Sequence, residues 1–281
     1  LPIYRCWFFC MPGVPSEMKQ MMDTCVVTRI EAIQGKQTRM LIRRFTVFGL
    51  HESRVGTQLS GFEDLFPGIR LGFRASFPVI EVKLVKDADE DSQEAKTVMD
   101  RAGEWVVRQL GSKVVSRTGL SLEAEVGQCL VEKGQTLAVA ESCTGGLIAH
   151  LITQVPGSSD YFLLSAVTYA NAAKIKVLGV NPQTLDTCGA VHEKTALEMA
   201  AGARRVAGSD WAVSTTGIAG PGGGPTMKQV GTVCIGLAGP GGVTMAKKFE
   251  FKFDDREKNK KMFAAMALEM LRRYLTGEIS V

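Results

Sequence analysis

No apolar run in this sequence approaches the roughly 20 residues that cross a bilayer as a helix, so no membrane-spanning helix is expected. Charge of one sign is equally scarce: 33 Lys and Arg stand against 29 Asp and Glu, a net charge of +4. A dedicated nucleic-acid binder needs a clustered basic face, and so small an excess makes no case for one. The seven cysteines (Cys6, Cys10, Cys25, Cys129, Cys143, Cys188 and Cys234) are odd in number, and none pair at the spacing of a zinc or redox hairpin. They read as reduced thiols of a cytoplasmic protein, not as a disulfide framework. His51, His150 and His192 lie far apart, with no Cys or Asp at ligand spacing, so no metal is expected. Repeats are absent, and the single low-complexity tract is a Gly-rich loop.

What is present supports buried cores. The chain has 281 residues, 45% of them hydrophobic and 22% charged, enough for two small domains and a fragment of a third. Leu1 to Cys10 reads as a buried strand entered midway, with no charged segment and cleavage site of a signal peptide. Pro12, Gly13 and Pro15 make a turn, and Ser16 and Glu17 open a helix to about Val27. Residues 1–38 therefore look like the tail of a domain that begins elsewhere. Residues 39–117 read as a small α+β unit. It has a strand over Met40–Phe48, a helix over Glu52–Leu65, strands at Ile69–Ala75 and Val79–Val85, and a helix capped within Asp87–Asp91 and running to Leu110. Ile80, Val82 and Leu84 alternate with Glu81 and Lys83, the period of a half-buried strand. Arg43, Arg44 and Arg54 read as a solvated face, and no G-x-x-G clamp is present.

From residue 118 to 281 helices and strands alternate, which predicts a three-layer α/β domain. The expected helices are an amphipathic one from Ser121 with Leu122, Val126, Leu130 and Val131 inward, then Gly145–Gln154, Thr195–Ala207 and Lys258–Tyr274. Strands are expected at Thr136–Ala140, Ala212–Thr215, Gly231–Leu237 and Val243–Phe251.

Three segments carry residues suited to chemistry. Ala140-Glu-Ser-Cys-Thr-Gly-Gly146 joins a strand to a helix, placing Ser142 at a strand's C-terminal end, where α/β sheets bind ligands. Free N–H groups of Thr144, Gly145 and Gly146 would face the same spot and hold an anion. Ser142 and Thr144 serve equally well as helix caps. Cys143 is a rival nucleophile, although adjacent side chains diverge at such a corner and the larger share falls to Ser142. Val167-Thr-Tyr-Ala-Asn-Ala-Ala-Lys174 sets Tyr169, Asn171 and Lys174 among small alanines. A lysine acts as a base only if burial lowers its pKa; on the surface it would stay charged. Ser214 to Gly224 ends a strand in two threonines and continues through Gly217, Gly220, Gly222, Gly223 and Gly224, which let backbone approach a ligand. It has neither a Walker nor a Rossmann spacing. Arg256, at the start of the last helix, offers a fork of donors that matches a phosphate.

Taken together, AESCTGG, VTYANAAK, GAV, TTGIAGPGGG, VGTVCIG and the Arg256 segment, in that order over Ser121–Leu275, resemble the CinA (competence/damage-inducible) family. MPGVPSEMKQMM looks like the end of that family's molybdopterin-binding-like domain, and RFTVFGLHESRVGTQL like the start of its KH-like domain. The resemblance implies a cytoplasmic homodimer or higher homo-oligomer that hydrolyses nicotinamide mononucleotide to nicotinate mononucleotide and ammonia in NAD recycling, without metal or cofactor. It implies Ser142 as nucleophile, Lys174 as its base, Tyr169 in support of proton transfer and Asn171 in positioning. Thr144, Gly145, Gly146, Thr216, Gly217, Gly220 and Arg256 would then bind substrate, with Arg256 on the anion. His192 stands where a serine is expected and Gln229 where a proline is usual. A nucleotide-binding regulatory module without catalysis is the alternative, and ADP-ribose pyrophosphatase activity is not expected from this chain.

Overall fold

A computed structural model describes residues 7–34, 39–88, 92–222 and 229–279. The expected opening strand is not formed where it can be seen. Trp7 to Cys10 has no regular structure, with Trp7 and Phe8 exposed, and residues 1–6 lie outside the described part. Helix α1 (Pro15–Met21) passes through a π-helical turn at Met22–Val26 into α2 (Val27–Gln34), seven residues past the expected end. Of its apolar residues Val26 is buried, while Met21, Val27 and Ile33 face solvent.

The α+β unit follows in the order β1 (Arg39–Phe48), α3 (Glu52–Gln58), α4 (Phe62–Leu65), β2 (Arg70–Ser76), β3 (Val79–Ala88), α5 (Gln93–Leu110) and β4 (Val114–Ser116). Its antiparallel sheet has the order β2-β3-β1-β4. The single helix expected over Glu52–Leu65 is two, because Gly61 takes φ +79° between them, a conformation that ends a right-handed helix. Asp87 belongs to β3 and does not cap α5; Ser92 does, its Oγ accepting from the Ala95 N–H at 3.1 Å. One face of the sheet buries Phe45, Val82 and Leu84 against Met99, Ala102 and Val106 of α5.

The second sheet has the order β6-β5-β7-β8-β9, with β5 (Leu137–Glu141) at the pivot. Strands β6 (Phe162–Val167) and β7 (Trp211–Gly217) flank it in parallel; β8 (Thr232–Ala238) and β9 (Thr244–Glu250) continue antiparallel. One face carries α6 (Leu122–Lys133), α7 (Leu147–Thr153) and α11 (Arg256–Leu275), over Leu137, Val139 and Val213. The other carries α8 (Asn171–Leu178), α9 (Pro182–Cys188) and α10 (Glu193–Ala207), over Ala138, Ala140 and Ala212. This is the three-layer arrangement. Alternate strand residues sort themselves by size: branched side chains toward α11, alanines toward α10. Helix α10 sits so close that a Cβ on Gly236 would lie 2.3 Å from the Ala196 carbonyl oxygen. Val131, expected on the inner face of α6, is 56% exposed; Leu122, Val126 and Leu130 alone turn inward.

The two sheets are not independent beads. Thr46 Oγ1 donates to the Leu120 carbonyl at 2.7 Å, and Phe48 and Val115 join the same apolar cluster as α6 and α11. Phe77 meets Phe253 edge to face, with ring centres 5.3 Å apart.

Candidate active site

After β5 the chain crosses to β6 on one side of it, then returns to β7 on the other. Such a switch leaves a crevice at the strand's carboxyl end, and Ser142 is the first residue beyond it. Two hydrogen bonds hold the crevice in place. The Ser142 N–H donates to the Thr215 carbonyl at 3.0 Å, and the Thr168 N–H to the Glu141 carbonyl at 2.9 Å.

Glu141, invisible as a functional residue in the sequence, organises the turn. Its fully buried carboxylate accepts from the Gly146 N–H at 2.9 Å, the Ile148 N–H at 3.1 Å and the Ala149 N–H at 3.0 Å. These are the orphan donors of the α7 N-terminus, so the helix is capped from the strand before it. Gly146 therefore has no free N–H, contrary to the expectation, and the Gly145 N–H donates back to the Ser142 carbonyl at 3.2 Å. Thr144 is buried and its hydroxyl meets that of Thr215 at 2.7 Å. None of these three residues lines the cleft.

Lys174 reaches the crevice from the first turn of α8. Its Nζ lies 3.1 Å from Ser142 Oγ, 2.8 Å from the Thr168 carbonyl and 3.1 Å from the Tyr169 carbonyl, with the residue only 1% exposed. Burial pulls its pKa below the ordinary lysine value. A neutral amine has two N–H groups and one lone pair. With the two carbonyls accepting its N–H groups, the neutral form would turn its lone pair to the Ser142 hydroxyl, whereas the charged form donates to Ser142 Oγ as well. Cys143 loses its rival claim, because burial pushes its thiol up to about 12 and keeps it protonated.

The cleft above this pair has a volume of about 260 Å3. Tyr169 lines it, but no hydrogen bond among the described residues joins its phenol to Lys174; only its carbonyl does. The phenol instead accepts from Arg256 Nη2 at 3.3 Å, while Arg256 Nη1 donates to the Gly220 carbonyl at 2.6 Å. Thr216 also lines the cleft and donates to the Ala190 carbonyl at 2.8 Å. Gly217 and Gly220 form its floor, and neither accepts a side chain. A Cβ on Gly217 would lie 2.4 Å from the Thr232 carbonyl oxygen, and one on Gly220 (φ +85°) 2.4 Å from Val230. Asn171 stands apart, exposed at the start of α8 and outside the cleft. Gly223 and Gly224 lie outside the described residues.

Two neighbours escaped the sequence reading. Asn259, inside the charged run of α11, is fully buried and pins the glycine loop, donating from Nδ2 to the Ala219 carbonyl at 3.0 Å and the Phe253 carbonyl at 2.8 Å. Lys260 Nζ sits 3.6 Å from where a Cβ on Gly145 would be, one turn after Arg256. His192 fills the place of the expected serine as a helix cap, its Nδ1 accepting from the Lys194 N–H at 3.1 Å. Among the described residues no three His, Cys, Asp or Glu side chains gather as a metal would require.

Comparison with known proteins bears on the whole of this region. A family model described as the CinA C-terminal domain matches residues 120–275. A CinA-like protein of Desulfosudis oleivorans is 55% identical over 276 residues, covering 98% of this chain and 66% of that protein. A CinA-like protein of Desulforapulum autotrophicum is 50% identical over 278 residues, covering 97% and 65%. The chain thus spans just under two thirds of the length of these relatives. The solved competence/damage inducible protein CihA from Agrobacterium tumefaciens is 39% identical, with a TM-score of 0.52 over 55% of this chain and 95% of that one.

Proposed function

This chain belongs to the CinA family, and on that premise we propose that its C-terminal region hydrolyses the carboxamide of nicotinamide mononucleotide to nicotinate mononucleotide and ammonia, a step of NAD recycling. The observation that carries the reading is the buried Lys174 amine 3.1 Å from Ser142 Oγ, its two N–H groups taken by main-chain carbonyls. A serine hydroxyl is a weak nucleophile until an adjacent base removes its proton as it attacks.

In the first step Ser142 Oγ bonds to the carboxamide carbon while Lys174 takes the hydroxyl proton. The charge that develops on the carboxamide oxygen falls to the main-chain N–H of Cys143, at the strand-to-helix corner beside Ser142. Lys174 returns the proton to the amide nitrogen, the C–N bond breaks, and ammonia leaves. Water then attacks the ester, with Lys174 again accepting a proton, and the carboxylate is released as Ser142 regains its hydrogen. Arg256 offers its remaining donors to the substrate phosphate, and Tyr169 holds that guanidinium in place. Thr216 and the Gly217–Gly220 backbone form the wall on which the nucleotide rests.

The test is ammonia release from nicotinamide mononucleotide by this chain and by Ser142→Ala, both in EDTA. Release by the parent alone supports a serine amidohydrolase independent of added metal. Silence from a folded parent overturns the proposal and leaves a nucleotide-binding module. Equal release from both would remove Ser142 from the chemistry.

A further inference from the structure

A second cavity, of about 370 Å3, opens where the antiparallel sheet meets α11. That volume lies in the range of small-molecule pockets. Its walls are aromatic: Phe48 and Phe77 come from the α+β unit, Phe251 and Phe253 from the segment after β9. Phe251 and Phe253 run nearly parallel, at 12° and 6.4 Å, while Phe77 meets Phe253 edge to face. Met262 and Met266 of α11 complete the apolar lining with side chains that adapt to a guest. Rings arranged this way stack on and abut a flat molecule.

Polar groups on the lining decide its charge. Glu269 does not call for a cation, because Arg272 takes both its oxygens, through Nε at 2.7 Å and Nη2 at 3.1 Å. Lys113 and Arg273 are the cations of the cavity. Lys113 has no ion pair among the described residues. Arg273 Nε is buried without a hydrogen bond, 3.5 Å from Glu278 and 3.7 Å from Glu269, while Glu278 is itself held by Arg272. Two carboxylates thus face two guanidiniums, and the ammonium of Lys113 is left over. An ammonium without an ion pair, beside stacked rings, suits an acidic group on an aromatic body.

The geometry points to a binding site for a flat aromatic molecule carrying one negative charge, its ring among the four phenylalanines and its acidic group on Lys113. The site also reaches the catalytic cleft, because α11 carries Arg256 and Asn259 at one end and the cavity face from Met262 to Arg273 beyond them. A guest there fastens the α+β unit to the helix that pins the glycine loop.

Isothermal titration of the full chain with 2-naphthoate tests this directly, with 2-naphthylmethylammonium as the cation of the same shape. The expected result is one naphthoate bound, with the cation at least about tenfold weaker. Lys113→Glu, on the surface, weakens naphthoate by about tenfold or more. Met266→Trp fills the cavity and removes binding; circular dichroism establishes that it folds, and Lys113→Glu carries the test if it does not. Ser142→Ala binds as the parent does. No binding up to millimolar naphthoate, equal affinity for the cation, unchanged affinity in both cavity variants, or displacement by nicotinamide mononucleotide would each overturn the assignment. None of these readouts uses turnover, so the amidohydrolase reading stands or falls separately.

Discussion

The two sheets use charge in opposite ways. In the antiparallel sheet β3 turns Ile80, Val82 and Leu84 inward and leaves Glu81 and Lys83 partly open to water. Three of its arginines meet carboxylates at the surface: Arg43 with Asp100 at 2.8 Å, Arg44 with Glu81 at 3.9 Å, Arg70 with Asp87 at 3.2 Å. In the mixed sheet β5 and β8 are buried along their whole length, and Lys174 lies within that dry frame among neutral oxygens. A solvated pair is worth about 0–1 kcal/mol and leaves both partners near their ordinary chemistry. A buried amine without a countercharge is shifted toward its neutral, nucleophile-activating form. On the proposed function, reactivity belongs to the sheet that excludes water, although the other has more cations.

Removing that amine gives the largest expected effect. Lys174→Met should lower kcat by about 10^4-fold or more while the nucleotide still binds, as judged by single-turnover kinetics and titration. In the parent, the rate should rise with pH as Lys174 loses its proton and level off below pH 10.5, the ordinary value. Stability has the same sign. The folded state sheds this proton at a lower pH than the unfolded chain, so unfolding free energy rises with pH between the depressed value and 10.5. Urea titrations across that window should show the slope in the parent and lose it in Lys174→Met.

The next contrast is between two glutamates. Glu141→Ala leaves three helix N–H groups without an acceptor and should cost about 3 kcal/mol of stability, with turnover down about tenfold as the Ser142 turn loosens. Glu81→Ala, which ends a 3.9 Å surface pair, should cost under about 1 kcal/mol. Equal losses in chemical denaturation would break the comparison.

Much of this was legible in the residues themselves. The strand-to-helix corner at Ser142, the alanines around Lys174 and the glycine floor all follow from local chemistry. The Glu141 cap does not, because its carboxylate reaches forward five to eight residues, beyond the usual cap position. Asn259 hides in a run that reads as solvated, and only the packing of α11 turns it inward. Strand β4, Val114–Ser116, is too short to show a period, and β1 creates it by pairing. Gly61 breaks a helix by a backbone angle that composition does not print.

Lys260 tests how far the charge around the Ser142 turn matters, at smaller cost. It sits one turn past Arg256 and beside Gly145, with no ion pair among the described residues. Lys260→Ala should raise KM for nicotinamide mononucleotide by about tenfold, near 1.4 kcal/mol, and leave kcat within about twofold. A loss in kcat alone would instead place Lys260 on the reacting atoms.

The smallest expected effect is the strictest test of the comparison. If all the chemistry lies in the mixed sheet, residues 118–281 alone should turn over within about twofold of the whole chain. The Agrobacterium protein argues that such a fragment folds, since 95% of its length matches 55% of this chain. The cost should appear elsewhere. Removing the α+β unit uncovers Phe251, Phe253, Met262 and Met266, so the fragment should melt earlier and associate more readily, read by calorimetry and light scattering. A fragment that stays folded yet loses turnover would mean that the α+β unit holds α11, and through it Arg256 and Asn259, in working position. The boundary between a catalytic sheet and a supporting one would then have to be drawn through that helix instead of between the sheets.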